Sequence, residues 1–155
     1  MTDVKMTIDD VLALGHVMPV IVIEDAAKAV PLAETLLANG IRTIEITLRT
    51  PAALDSIAAI ADQCPDMVVG AGTILSPELA QASASAGARF VVSPGSTEAV
   101  VTGCQNADVP LLPGASTVSE MMALAEQGFM PSSFSQLRQL VARILLNHWP
   151  ARYLI

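Results

Sequence analysis

The sequence predicts an α/β protein, a partial (β/α)8 TIM barrel of about five β/α units followed by a tail foreign to it. Three observations carry this reading. Short β-branched apolar runs alternate with segments whose apolar residues fall at helical spacing. The strand centres recur near residues 20, 44, 68, 91 and 111, a period of 20–24 residues that suits parallel strands joined by right-handed helical crossovers. Polar and glycine residues gather just after several successive strands, as they do where a barrel spreads its chemistry over many strand ends.

The units follow in order. VMPVIVI (17–23) is of strand length, and EDAAKAVPLAETLLANG after it has helical spacing and a closing glycine. IRTIEITL (41–48) leads into TPAALDSIAAIADQ, where Thr50 reads as an N-cap and Pro51 as the first helical residue. MVVGAGT (67–73) precedes SPELAQASASAG, in which Ser76 and Pro77 repeat that start signal. RFVVSPGS (89–96) precedes a helix running through about Ala107, and VPLLPGAS (109–116) precedes TVSEMMALAEQG, closed by Gly128. An open doubly wound sheet shares this alternation. However, the first strand–helix turn has no G-x-G-x-x-G, and no phosphate-binding G-x-x-x-x-G-K-[ST] occurs. The barrel is favoured, although five units cannot close one.

Composition narrows the function. A chain of 155 residues suits one domain, which can bury roughly 70% of its unfolded surface. The net charge of −7 excludes nucleic acid as the expected partner, because phosphate neutralisation needs a basic surface. Cys64 and Cys104 stand forty residues apart and read as reduced thiols, and His16 and His148 are isolated, so no metal site is expected. MTDVKMTIDD lacks the apolar centre of a signal peptide and no eighteen-residue apolar run exists. A cytoplasmic protein with no membrane partner is expected.

The chemical candidates are EITLRT (45–50), GAGT (70–73), SPGST (93–97) and PGAST (113–117), each where a strand meets its loop. Glycines there let the backbone approach a ligand, and small hydroxyls add hydrogen bonds without filling the site. Glu45 lies inside an apolar strand, so its carboxylate needs a polar cavity or a partner. Burial of that kind raises a carboxyl's pKa toward the range useful for proton transfer. The alternative is a structural pair with Arg49, four residues on. Arg49 can instead grip a substrate carboxylate with its planar fork, or be a solvated surface residue. Thr73 reads as a ligand-binding hydroxyl or as the cap of the next turn.

Together these segments resemble 2-keto-3-deoxy-6-phosphogluconate (KDPG) aldolase, which also acts on 4-hydroxy-2-oxoglutarate (KHG). The resemblance runs from about residue 10 to Gly128 and rests on EITLRT, GAGT and SPG in this order and spacing. It implies a homotrimer of β/α barrels that uses no metal or cofactor and acts on a small keto acid. It further implies that Glu45 is the proton-shuttling acid/base, that Arg49 and Thr73 hold the keto-acid carboxylate, and that Pro94 walls the pyruvate pocket. In such an enzyme a lysine amine attacks the C2 ketone, and the protonated imine becomes the electron sink for C3–C4 cleavage. The related aldolase for the phosphogalactonate analogue shares this logic, with TLRT favouring the phosphogluconate enzyme. A non-catalytic fragment or interaction subunit is the other alternative.

The lysine is where the resemblance fails. Lys5 lies in the N-terminal arm and Lys28 in the first helix after a strand; no other lysine exists. Where the family carries a motif close to KFFPAE on its sixth strand, this chain reads SSFSQL (132–137). Composition changes at the same place. All fifteen acidic residues lie at or before Glu126, whereas residues 129–155 hold three arginines, the only Trp and the only Tyr. Residues 132–138 can be written TCA AGT TTT TCC CAG CTG AGG, and the same letters regrouped read AAG TTT TTC CCA GCT GAG, which is K-F-F-P-A-E. The expectation is therefore an aldolase domain over 1–128 and an out-of-frame tail over 129–155, through loss of one base just after Phe129. The alternative for the tail is a genuine basic, amphipathic docking helix.

Overall fold

The computed structural model describes residues 6–129. Lys5 and all of the expected foreign tail except Phe129 lie outside the described residues. Five parallel strands form one sheet: β1 (Val20–Ile21), β2 (Thr43–Thr47), β3 (Val68–Gly72), β4 (Phe90–Ser93) and β5 (Leu111–Pro113). The helices are α1 (Ile8–Ala13), α2 (Ala29–Ala38), α3 (Ala53–Gln63), α4 (Pro77–Ser85), α5 (Glu98–Asn106) and α6 (Val118–Glu126). Spatial strand order equals chain order, β1-β2-β3-β4-β5. A doubly wound sheet reverses direction at a switch point, and this one does not, which is the progression of a barrel wall.

Alternation along the strands separates two apolar layers. Ile44, Ile46, Val69, Ala71, Val91 and Leu111 face the helices and form the larger core with residues such as Ala33, Ile57, Ile60 and Ala80. Val68 and Phe90 face the other way, into a smaller cluster with Val11 of α1. Helix α1 thus closes the concave side at the N-terminal ends of the strands. Sequence periodicity did not announce this short helix. Its signal is a reciprocal cap: the Thr7 hydroxyl accepts from the Asp10 N–H, and the Asp10 carboxylate accepts from the Thr7 N–H. The Thr7 hydroxyl and N–H hold the Asp10 carboxyl below its ordinary pKa.

The helix starts at Ser76 and Thr117 are as the sequence predicts. Ser76 accepts from Leu79 N–H ahead of Pro77, and Thr117 forms a reciprocal cap with Glu120. The Glu120 carboxyl is held low by the N–H groups of Ser116 and Thr117. Gly128 closes α6 with φ of 87°. Thr50 differs. Helix α3 begins at Ala53 with Ala52 at the cap position, and the Thr50 hydroxyl instead donates to the Ile23 carbonyl. It is drawn away because β1 is only two residues long and leaves carbonyls on segment 17–23 in need of donors. Thr43 serves the same end, donating to the carbonyl of Val17 at 3.5 Å, and Thr47 adds a bond to the Ile21 carbonyl at 3.0 Å.

Thr47 is fully buried, so Thr47→Val keeps the shape but removes the hydroxyl bond that Ile21 C=O accepts in addition to its ladder bond. A loss of about 1–2 kcal/mol is expected in urea unfolding. Burial also pushes the Cys104 thiol up to about 11 from an ordinary value of 9.0. The native state then holds this proton more tightly than the unfolded chain, so stability from Cys104 is present below about pH 9 and is lost as pH rises toward 11. At pH 8, Cys104 should react with a disulfide reagent at least about a hundredfold more slowly than in urea.

Candidate active site

The site is built on β2 and β3, because β3 carries glycine where its neighbours carry side chains. In register, Glu45 lies beside Gly70, and Gly70 beside Phe90. A Cβ at Gly70 would stand 2.2 to 2.5 Å from the Phe90 ring, and one at Gly72 would stand 1.9 Å from Oε1 of Glu45. The aromatic ring and the carboxylate therefore both lie over β3 on the concave face, Phe90 toward the α1 side and Glu45 toward the strand C-termini. Glu45 is only 6% exposed, with the apolar cluster of Val11, Val68 and Phe90 on its α1 side. A carboxylate at such a place is costly unless it is satisfied or protonated, which is what makes it useful for moving protons.

Beyond the end of β2 the chain turns at Leu48, whose N–H donates to the Gly72 carbonyl at 2.9 Å. Arg49 is thereby set at the rim, exposed, with its Nε donating to Oγ1 of Thr73 at 3.3 Å. Thr73 follows β3 with φ of 65°, in the left-handed region. A β-branched residue there is strained by an amount on the order of 1–3 kcal/mol, and such outliers gather at binding sites. The cap of the next helix is Ser76, and Thr73 instead accepts from Arg49.

Pro94 occupies the same rim at the end of β4 and is exposed. Its placement comes from the neighbouring loop: a Cβ at Gly114 would stand 2.5 Å from the Pro94 carbonyl oxygen, so the loops after β4 and β5 meet backbone to backbone. The structure thus joins Glu45, Arg49 and Thr73 through β2 and β3, and sets Pro94 by contact with β5. Lys28 is exposed, in the short 3-10 turn Ala26–Lys28 ahead of α2. Sequence reasoning passed over one residue and gave a second, the first of the SPGST segment, no role of its own. Phe90, fully buried, forms part of the apolar floor, and its signal was an aromatic in an aromatic-poor chain opposite a glycine-bearing strand. Ser93 is 2% exposed and its Oγ has no partner among the described residues. Among those residues, too, no three His, Cys, Asp or Glu side chains are grouped to hold a metal ion.

A parallel β/α sheet in chain order, with a buried carboxylate inside β2 and an arginine just past the end of that strand bonded to a threonine just past β3, is the wall of a β/α barrel with its polar groups toward the strand C-termini. Comparison with known proteins gives the class its family. The family model for KDPG and KHG aldolase matches residues 8–135. The KHG/KDPG aldolase of Escherichia coli K12 is 43% identical over 130 residues, 84% of this chain and 61% of that protein. The crystal structure of 2-keto-3-deoxy-6-phosphogluconate aldolase from Zymomonas mobilis superposes with a TM-score of 0.75 at 42% identity, covering 80% of this chain and 60% of the other. That of KDPG aldolase from Legionella pneumophila, with pyruvate captured as a covalent carbinolamine, gives 0.77 at 36% identity over 90% of this chain and 72% of the other. The chain belongs to the KDPG and KHG aldolase family. It spans about three fifths of the length of the curated relatives it matches.

The two glycines separate fold from site. Gly70→Ala drives a methyl into a fully buried ring and should cost about 1–3 kcal/mol in chemical unfolding. Gly72→Ala meets the Glu45 carboxylate and its Cγ instead, so the side chain must leave its place. A stability loss smaller than that of Gly70→Ala is expected, with a displaced Glu45 carboxylate resonance in NMR spectra of labelled protein.

Proposed function

We propose that this pocket is the keto-acid half of a class I aldolase, which cleaves 2-keto-3-deoxy-6-phosphogluconate to pyruvate and glyceraldehyde 3-phosphate through a Schiff base. The observation that supports it best is the convergence of a buried Glu45 with the Arg49–Thr73 pair at the ends of β2 and β3. The guanidinium and the Thr73 hydroxyl hold the substrate carboxylate, and the Pro94 ring walls the pyruvate methyl side. A lysine amine adds to the C2 ketone, and Glu45, directly or through water, supplies the proton that lets the carbinolamine lose water. The iminium accepts the electrons of the C3–C4 bond as Glu45 takes the C4 hydroxyl proton. Glyceraldehyde 3-phosphate leaves, and the enamine left behind is protonated and hydrolysed to pyruvate. The phosphogalactonate analogue is the nearest competing substrate.

The same reading makes the present chain catalytically silent. Lys28 is on the helical layer and Lys5 in the N-terminal arm, so the amine is missing. We assign residues 1–128 to the aldolase domain and residues 129–155 to a translation shifted by one lost base just after Phe129. The complete enzyme is then a cytoplasmic homotrimer without metal or cofactor. Among the described residues no helix is long and apolar enough to cross a membrane.

Borohydride reduction in the presence of pyruvate tests both claims. The 155-residue chain should gain no covalent pyruvate adduct by mass spectrometry, and adduct formation would refute the missing amine. Restoring one base after the Phe129 codon should yield an adduct on a lysine near position 132 and retro-aldol turnover. In that restored protein Glu45→Gln should lower kcat by about 10²–10⁴-fold while the enzyme still forms the adduct slowly. An intact reading frame in the encoding DNA would sink the slipped-register assignment.

A further inference from the structure

We infer that Thr47 and Thr50, the two threonines of the TLRT segment, are positioning residues for Arg49. Their hydroxyls tie the chain on either side of the arginine to the β1 segment and so aim its guanidinium at Thr73. What the aimed guanidinium is for, a substrate carboxylate, rests on the keto-acid reading of the site. Arg49 needs such support because it starts from a loose place. It is exposed, just past the end of β2, on a side chain with many rotamers. A side chain of this kind gives up rotamer freedom when it grips a ligand, and whatever fixes it beforehand strengthens the grip. The backbone does part of this. Arg49 N–H donates to Thr47 C=O at 2.8 Å, closing a three-residue turn, and Leu48 N–H donates to Gly72 C=O at 2.9 Å, which pulls that turn toward β3.

The threonine hydroxyls supply the opposing pull. Thr47 Oγ1 donates to Ile21 C=O at 3.0 Å, and Thr50 Oγ1 donates to Ile23 C=O. Both acceptors lie on the other side of β2, at the end of β1 and just beyond it. The turn is therefore held between two hydroxyl anchors toward β1 and one backbone bond toward β3. From that fixed base the Arg49 side chain crosses to β3, where Nε meets Oγ1 of Thr73 at 3.3 Å. The bond uses Nε and does not consume the two terminal amino groups, which can meet both oxygens of a carboxylate end on. Thr47 is fully buried, so its hydroxyl acts through Arg49 and not on a ligand.

Thr43 shows what a hydroxyl does on this seam when it has no arginine to place. It donates to Val17 C=O at 3.5 Å, between the same two segments but at the N-terminal end of β2. It supports the β1 flank and sets nothing at the rim. If Thr47 and Thr50 did no more than that, all three threonines would behave alike, and this comparison carries the test.

The test uses the 155-residue chain with isotope-labelled arginine and reads the Arg49 Nε–H resonance with and without pyruvate. In the unaltered chain this proton should exchange slowly with water, and its resonance should move when pyruvate is added. Thr50→Val and Thr47→Val, each checked by circular dichroism for unchanged helix content, should quicken the exchange and weaken pyruvate binding by about three- to tenfold. Thr50→Ser and Thr47→Ser should restore both, and Thr50→Ala replaces Thr50→Val if the valine unsettles the turn. Thr43→Val should leave the exchange and the affinity within about twofold of the unaltered chain, although it removes a bond of the same kind. Three results would overturn the inference: an Arg49 Nε–H that exchanges in the unaltered chain as fast as in free arginine; valine variants whose Arg49 signal matches the unaltered chain; or Thr43→Val moving that signal as far as Thr50→Val. An Arg49 that loses its protection in the valine variants alone, yet never responds to pyruvate, upholds the positioning and sinks the keto-acid reading instead.

Discussion

The absence of two Cβ atoms on β3 is the constraint from which the rest follows. A strand buried on both faces ordinarily projects a side chain every second residue into each layer. At Gly70 and Gly72 the concave layer is left open, and its neighbours move in, the Phe90 ring from β4 and the Glu45 carboxylate from β2. The glycines weaken the strand by roughly 0.5–1 kcal/mol each relative to alanine. In exchange the sheet gains a fully buried aromatic floor and a place where one carboxylate can be held nearly out of water. The apolar layer ends and the polar one begins between these two glycines, within one strand.

The rim continues the same logic with a different cost. Thr73 is held left-handed, a conformation that glycine would adopt freely, and its hydroxyl accepts from Arg49 Nε. A threonine in that conformation is explained if the hydroxyl is needed, because nothing about the turn itself requires a β-branched side chain. The buried acid and the exposed cation thus lie on one side of the sheet at different depths. On the proposed function, that order sets the keto-acid carboxylate near solvent and its reacting carbons deeper.

Much of this was legible in the residues, and the reasons are local. Strand and helix positions follow from alternating β-branched runs and from Ser76, Thr117 and Gly128, whose capping roles are set by short-range chemistry. Glu45, Arg49 and Thr73 stand out in the residues as an acid inside an apolar strand and polar groups at strand ends, whereas Pro94 is singled out through the family resemblance alone. What was not legible depends on partners distant in sequence. Thr50 looked like a cap because its neighbours are Pro51 and a helical run, yet Ile23, twenty-seven residues earlier and just past the short β1, claims its hydroxyl. Helix α1 is a single capped segment of six residues, too short for periodicity to reveal. Phe90 gained its meaning only when the register placed it beside Gly70.

The first strand shows how the sheet is held where its ladder is shortest. β1 is two residues long and Pro19 precedes it, so the hydroxyls of Thr43 and Thr50 take up the carbonyls of Val17 and Ile23, which a longer strand would have paired with backbone N–H groups, and Thr47 adds a bond to Ile21. These bonds all run between segment 17–23 and the chain of β2 with its following turn, so they lengthen the β1–β2 seam and leave the outer border of β1 as it was. Side chains from β2 thus do what the β1 backbone is too short to do, and the seam beside the buried Glu45 stays closed.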